Sequence, residues 1–400
     1  MQTLYSGGLL FDGDGRLLEN YGVMVEDDRI VKIAPRPEFT GFAGYVVDTS
    51  GGTLLPALID AAVHVSRDGG VTASGGSGED AATVTLRALQ HAQASLVGGV
   101  AVIRDVGCPA DIGQALATTL AAGAFMGPAV ITAGQTLTPT GGHGADLGLH
   151  ADHVPGVVGG VRSLVARQAQ TIVMAASGGV TSTGTDTHTT YYTAEEVHAG
   201  VSEAHRLSRP TAVMAHNSEA AKYAVQARAG AVLYGIELDD DVIASMVSEQ
   251  TYLVPALGAM RALVDATDNA VGEAGLPPAM VDQAKALADG HAGSLKRFYD
   301  AGGRVAFGSD SGMPLLAHGD NAQELSHLVA SGMTPIDALI AATGHGADML
   351  GLSGRGRVAE GAVADLLVVD GNPADDIAAV ADRGNHRLVV SGGAVAARRS

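Results

Sequence analysis

This chain of 400 residues is poor in several things, and each scarcity excludes something. It has one cysteine, Cys108, so no internal disulfide can form and no thiolate-rich zinc site can be built. Basic side chains are few: 24 Lys and Arg stand against 43 Asp and Glu, a formal net charge of −19. That sign argues against nucleic acid or an anionic membrane as the main partner. No uninterrupted apolar run reaches membrane-spanning length. The start, MQTLYSGGLLFDGDG, has neither a basic n-region nor an apolar h-region, so a soluble cytoplasmic protein is expected. Tryptophan is absent, yet hydrophobic residues make up 46%, enough to core one large domain and a smaller one. The 55 glycines follow no fixed period, which points to many short turns and not to disorder.

Near-continuous apolar runs occupy 53–59, 100–105, 129–134, 171–176, 211–216, 231–235, 251–256 and 304–310. Such runs suit parallel strands covered on both faces, with helical stretches between them. Eight of them, alternating with helices, predict a (β/α)8 TIM barrel in the α/β class. Helix starts are marked by the capping box Thr193-Ala-Glu-Glu196, by Thr334-Pro335 and by Ser77-Gly-Glu-Asp80. The two ends differ from the middle. Both alternate apolar and polar residues around glycines, as antiparallel hairpins do. Residues 1–55 and 356–400 are therefore expected to pair into one small β-sandwich domain beside a barrel of 56–355.

Residues 55–65 read LPALIDAAVHV. Strand side chains alternate, so Asp60, Ala62 and His64 share one face. Two histidines at 62 and 64 would clasp one divalent cation from a single strand end; one alone cannot. The stretch resembles the first strand of the amidohydrolase superfamily, P-G-L-I-D-x-H-x-H, with Ala62 at the first ligand position. Further matching pieces are IRDVG (103–107), TPTGGHG (138–144), MAASGGV (174–180), FGSDSG (307–312), AHGDNAQEL (317–325), GMTPIDALIAAT (332–343) and EGAVADLLVVDGNP (360–373). Together they are most similar to the imidazolonepropionase-like and prolidase-like subgroup.

The resemblance implies a degenerate metal site. His64, His216 and Asp310 stand at ligand positions, while Ala62, Val173 and Tyr234 replace two histidines and a bridging carboxylated lysine. This set argues against two metals and favours a site with no cofactor. The alternative is one Zn2+ on His64, His216 and Asp310. Without metal, His64 and His216 would shuttle protons, Asp310 would act as base and Tyr234 would meet an oxyanion. That kit suits elimination, isomerisation, decarboxylation or cyclisation of a small organic molecule. The rivals are a mononuclear hydrolase of an amide, cyclic amide or dipeptide C–N bond, and a non-catalytic small-molecule-binding barrel. His143, Arg104, His188, Tyr191, Tyr192 and His318 are the expected substrate contacts; Glu324 reads as structural. A small-molecule substrate and a homo-oligomer are the expected partners.

Overall fold

The computed structural model describes residues 2–69, 78–109, 111–182 and 184–399. Parallel strands Leu58–Val63, Val100–Asp105 and Ala129–Thr132 pair in that order. Strands Ile172–Ala175, Thr211–Ala215, Ala231–Tyr234 and Tyr252–Val254 continue the barrel in parallel register. The eighth run, 304–310, forms no regular strand. It links the last strand to the first by single bridges, Leu253 with Val305 and Val63 with Ser311. Backbone bonds from Ala61 N to Phe307 O (2.9 Å) and from Asp310 N to Ala62 O (2.8 Å) lie between them. Asp310 sits at φ +58°, a left-handed conformation that ends extended pairing at the site.

The first expected strand, 53–59, splits. Gly52–Pro56 belongs to a terminal sheet, and the barrel strand starts only at Leu58. The chain changes partners across one residue: Ala57 N donates to Asp365 O, and Leu58 N to Gly99 O. Pro56 offers no N–H to prolong the first ladder.

Both chain ends build a small β-sandwich. One sheet holds Gln2–Ser6, Tyr21–Glu26, Arg29–Pro35 and Tyr45–Asp48. The other joins Leu9–Phe11, Leu17–Leu18 and Gly52–Pro56 to Leu366–Asp370, His386–Ser391 and Ala394–Arg398. Pairing is not antiparallel throughout, since Gln2–Ser6 runs parallel to Tyr45–Asp48 and Leu9–Phe11 parallel to Gly52–Pro56. Tyr5, Val23, Ile30, Leu54, Leu366 and Val390 fill the space between the sheets.

Helices cover the barrel with one apolar stripe each. Helix Ala81–Val97 buries Val84, Ala88, Ala92 and Leu96, and Asp80 caps it by accepting from Thr83 N. The capping box at Thr193 is formed, and Thr334 caps Pro335–Ala341. No described helix is long and apolar enough to cross a membrane.

Candidate active site

The barrel interior is apolar up to its mouth. Ala62, Val173 and Tyr234 join one hydrophobic cluster with Val102, Ala212, Met214 and Val254. A Cβ at Gly308 would stand 2.9 Å from the Ala62 Cβ, so strand one and the eighth segment touch there.

At the C-terminal ends of the strands the lining turns polar. Asp310 is buried, and His64 Nε2 lies 3.4 Å from its Oδ1. The Tyr234 hydroxyl donates to both oxygens of Asp310, at 3.3 and 3.4 Å. Burial, reinforced by the Asp310 charge, holds this phenol far above its ordinary range, so it keeps its proton. The Tyr234 ring stacks on His216 with centroids 4.4 Å apart, and His143 meets His216 edge-on at 5.0 Å. Tyr234 and Asp310 both have positive φ, +73° and +58°. Non-glycine residues in this region cost on the order of 1–3 kcal/mol and cluster at functional sites. His291, from helix Pro278–Asp300, holds the Tyr234 carbonyl at 3.0 Å.

Ser177 sets the state of His216. Its Oγ donates to Gly178 O and accepts from His216 N at 2.8 Å, so its contact with His216 Nδ1 at 3.2 Å is made by an Nδ1–H. Nε2 is then the ring's acceptor. Burial depresses His216 far below the usual imidazole range and brings His143 down to about 4, so both rings are neutral near pH 7. His143 Nδ1 meets Ser182 Oγ at 2.6 Å. A Cβ at Gly179 would stand 2.2 Å from that ring, so only glycine admits it.

His143, His216, Tyr234 and Asp310 line one cavity with His291, Thr181 and the apolar walls Val180, Ile236, Met260, Leu263 and Met313. Five expected substrate contacts lie elsewhere. The buried Arg104 donates through Nε to Ala61 O at 2.6 Å, beside the Asp60 charge. His188 stands on the exposed side of its loop, 4.0 Å from Glu237. Tyr191 is tied by its backbone N–H to Ala176 O, and the buried Tyr192 donates its hydroxyl to Ala151 O at 2.9 Å. His318 Nε2 reaches the carbonyls of His64 and Arg67 at 3.2 and 3.1 Å and stacks on His91, so it supports the loop that carries His64.

Two further carboxylates are structural anchors. Asp60 accepts from Ala62 N, Ser309 N, Ser309 Oγ and Asn321 Nδ2, which tethers strand one to the eighth segment. Burial lifts it to about 6 against those bonds. Glu324 accepts from Leu257 N at 2.8 Å and Gly258 N at 2.7 Å, holding the start of helix Leu257–Val264. That helix carries Met260 and Leu263 into the cavity wall. His291 sits in mid-helix with no motif around it; Ser177 precedes the Gly178-Gly179 pair and Ser182 follows it by three residues, in the loop near the mouth.

A (β/α)8 barrel with histidine, tyrosine and aspartate gathered at the strand ends, and a sandwich made by both termini, defines an amidohydrolase-fold enzyme. The chain belongs to the Amidohydrolase family, whose sequence profile matches residues 53–396. It is 27% identical over 416 aligned positions to the ochratoxinase of Aspergillus niger, covering 94% of this chain and 82% of the relative. It is similar to the crystal structure of a Xaa-Pro dipeptidase with bound methionine, at 25% identity, TM-score 0.88 and 99% coverage of both chains. A prolidase solved with N-methylphosphonate-L-proline matches at 28% identity and TM-score 0.90, with 100% of both chains covered.

Proposed function

We propose that this enzyme hydrolyses the C–N bond of a small amide-type molecule in the Asp310 cavity. The bond class is supported by the relatives, which are named as an ochratoxinase, a Xaa-Pro dipeptidase and a prolidase. They favour hydrolysis over the elimination, isomerisation, decarboxylation or cyclisation that the residue kit alone suggests. The observation that carries the proposal is the convergence of His64 and Tyr234 on the Asp310 carboxylate, with His216 stacked behind Tyr234.

In this reading a water O–H gives its proton to Asp310 while the oxygen adds to the amide carbon. The Tyr234 hydroxyl leaves Asp310 to meet the oxyanion. The C–N bond then breaks as the amine nitrogen takes the proton from Asp310, releasing acid and amine. His64 shares the carboxylate throughout, and His216 Nε2 accepts a hydrogen bond from water or substrate.

A metal-assisted version of the same hydrolysis is favoured by the family membership. Its ligands would be His64, His216 and Asp310. The donor set fits poorly. Both Asp310 oxygens already accept from Tyr234; of the three, His216 alone is set as a ligand, its Nδ1 held by Ser177 and its Nε2 free. No group of three His, Cys, Asp or Glu able to hold a metal is found among the described residues, and a catalytic zinc takes three. No step is therefore routed through a metal. Metal content by plasma mass spectrometry, before and after zinc soaking, with turnover of an amide panel, separates the versions. Turnover at below 0.1 equivalent of metal per chain is the expected result. One tightly held equivalent, with turnover lost on chelation and regained with zinc, would overturn the metal-free version.

A further inference from the structure

Resting on that reading, we infer that the substrate is an uncharged, apolar amide that carries no free carboxylate beside the scissile bond. The cavity walls supply the argument. Val180, Ile236, Ala256, Met260, Leu263 and Met313 make up the apolar part of the lining. Every Lys and Arg of the sequence lies in the described residues, and none is in the cavity lining. The one carboxylate in the lining is Asp310, which would repel a second. A substrate carboxylate would thus be desolvated against hydrocarbon and a like charge, which is strongly unfavourable. An apolar acyl or amine group gains by entering the same space. From outside the lining the field of Arg261 reaches His291, and that of Arg67 reaches Tyr234 and His143. Arg67 is paired with Asp146 at 2.8 Å. A dipeptide always carries a free carboxylate, so this chain parts from its dipeptidase relatives in the group it accepts.

The test is a matched pair, N-benzoylpyrrolidine and N-benzoyl-L-proline, which differ by that carboxylate alone. Binding to the full chain is measured by calorimetry at pH 7 and cleavage by chromatography. The pyrrolidide is expected to bind at least about tenfold more tightly than the acid. Equal or tighter binding of the acid overturns the inference, and loss of that binding in Arg67→Ala would then assign the anchor to Arg67. Failure of both compounds to bind overturns it as well. If the pyrrolidide is preferred and neither is cleaved, the ligand class stands and the hydrolytic reading fails.

Discussion

Tyr234 is the residue on which the proposed site turns. It ends the strand Ala231–Tyr234 and reaches Asp310 with its hydroxyl. Tyr234→Phe removes the donor and keeps the ring that stacks on His216. Steady-state kinetics on a cleaved amide should then show kcat lowered by about a hundredfold, with the fold intact by circular dichroism. Unchanged kcat would reduce Tyr234 to packing. Asp60 is a contrasting residue: close in sequence to His64, it stabilises and does no chemistry. Asp60→Ala would strand the donors of Ser309 and Asn321 in the interior. A loss of about 3 kcal/mol in urea unfolding is expected. His64, His216 and Asp310 could be singled out in the sequence because each ends an apolar run inside a recognisable motif. Arg104, Tyr192 and His318 were expected as substrate contacts because sequence places them near a strand end without saying which way they face. Their partners are backbone carbonyls, which no motif encodes.

Among elements, helix Leu257–Val264 joins stability to binding. Ala256 precedes it at φ +51°, and Glu324 supplies the cap that residue 256 cannot. Glu324→Ala should cost about 1–3 kcal/mol in unfolding free energy. Because Met260 and Leu263 ride on this helix, the same variant should raise KM more than it lowers kcat. A pure kcat effect would place Glu324 in the chemistry instead. The strands were legible as apolar runs, but two of their limits were not. Residues 53–59 look continuous, and only the partners of Ala57 and Leu58 divide them between sheets. Residues 304–310 read as a strand, whereas a left-handed Asp310 breaks the ladder where the site needs its carboxylate.

Over the whole molecule, buried imidazoles make stability depend on pH. His143 and His291 are held near 4 and His318 near 3, against an ordinary 6.5, by burial. A depressed histidine contributes stability that is complete above pH 6.5 and is lost as pH falls toward the folded value. At pH 5 the loss is on the order of 2 kcal/mol for each of His143 and His291. Asp60 and Glu324, raised to about 6 and about 8, act in the opposite direction and offset part of it. Unfolding followed in urea should show lower stability at pH 5 than at pH 7, and a flat profile would mean the rings are already charged in the fold. The barrel and the composite sandwich were the most legible level of all. Alternation of runs and helices, and the shared texture of the two ends, are set by burial on two faces or on one.

In the proposed reaction Asp310 moves the proton during C–N cleavage. The most direct measurement is turnover of one cleaved amide by wild type and by Asp310→Asn, which keeps shape and removes the base. A fall of about 10²–10⁴ in kcat, with binding of the same amide retained, is the result expected. Turnover within about twofold of wild type would contradict it.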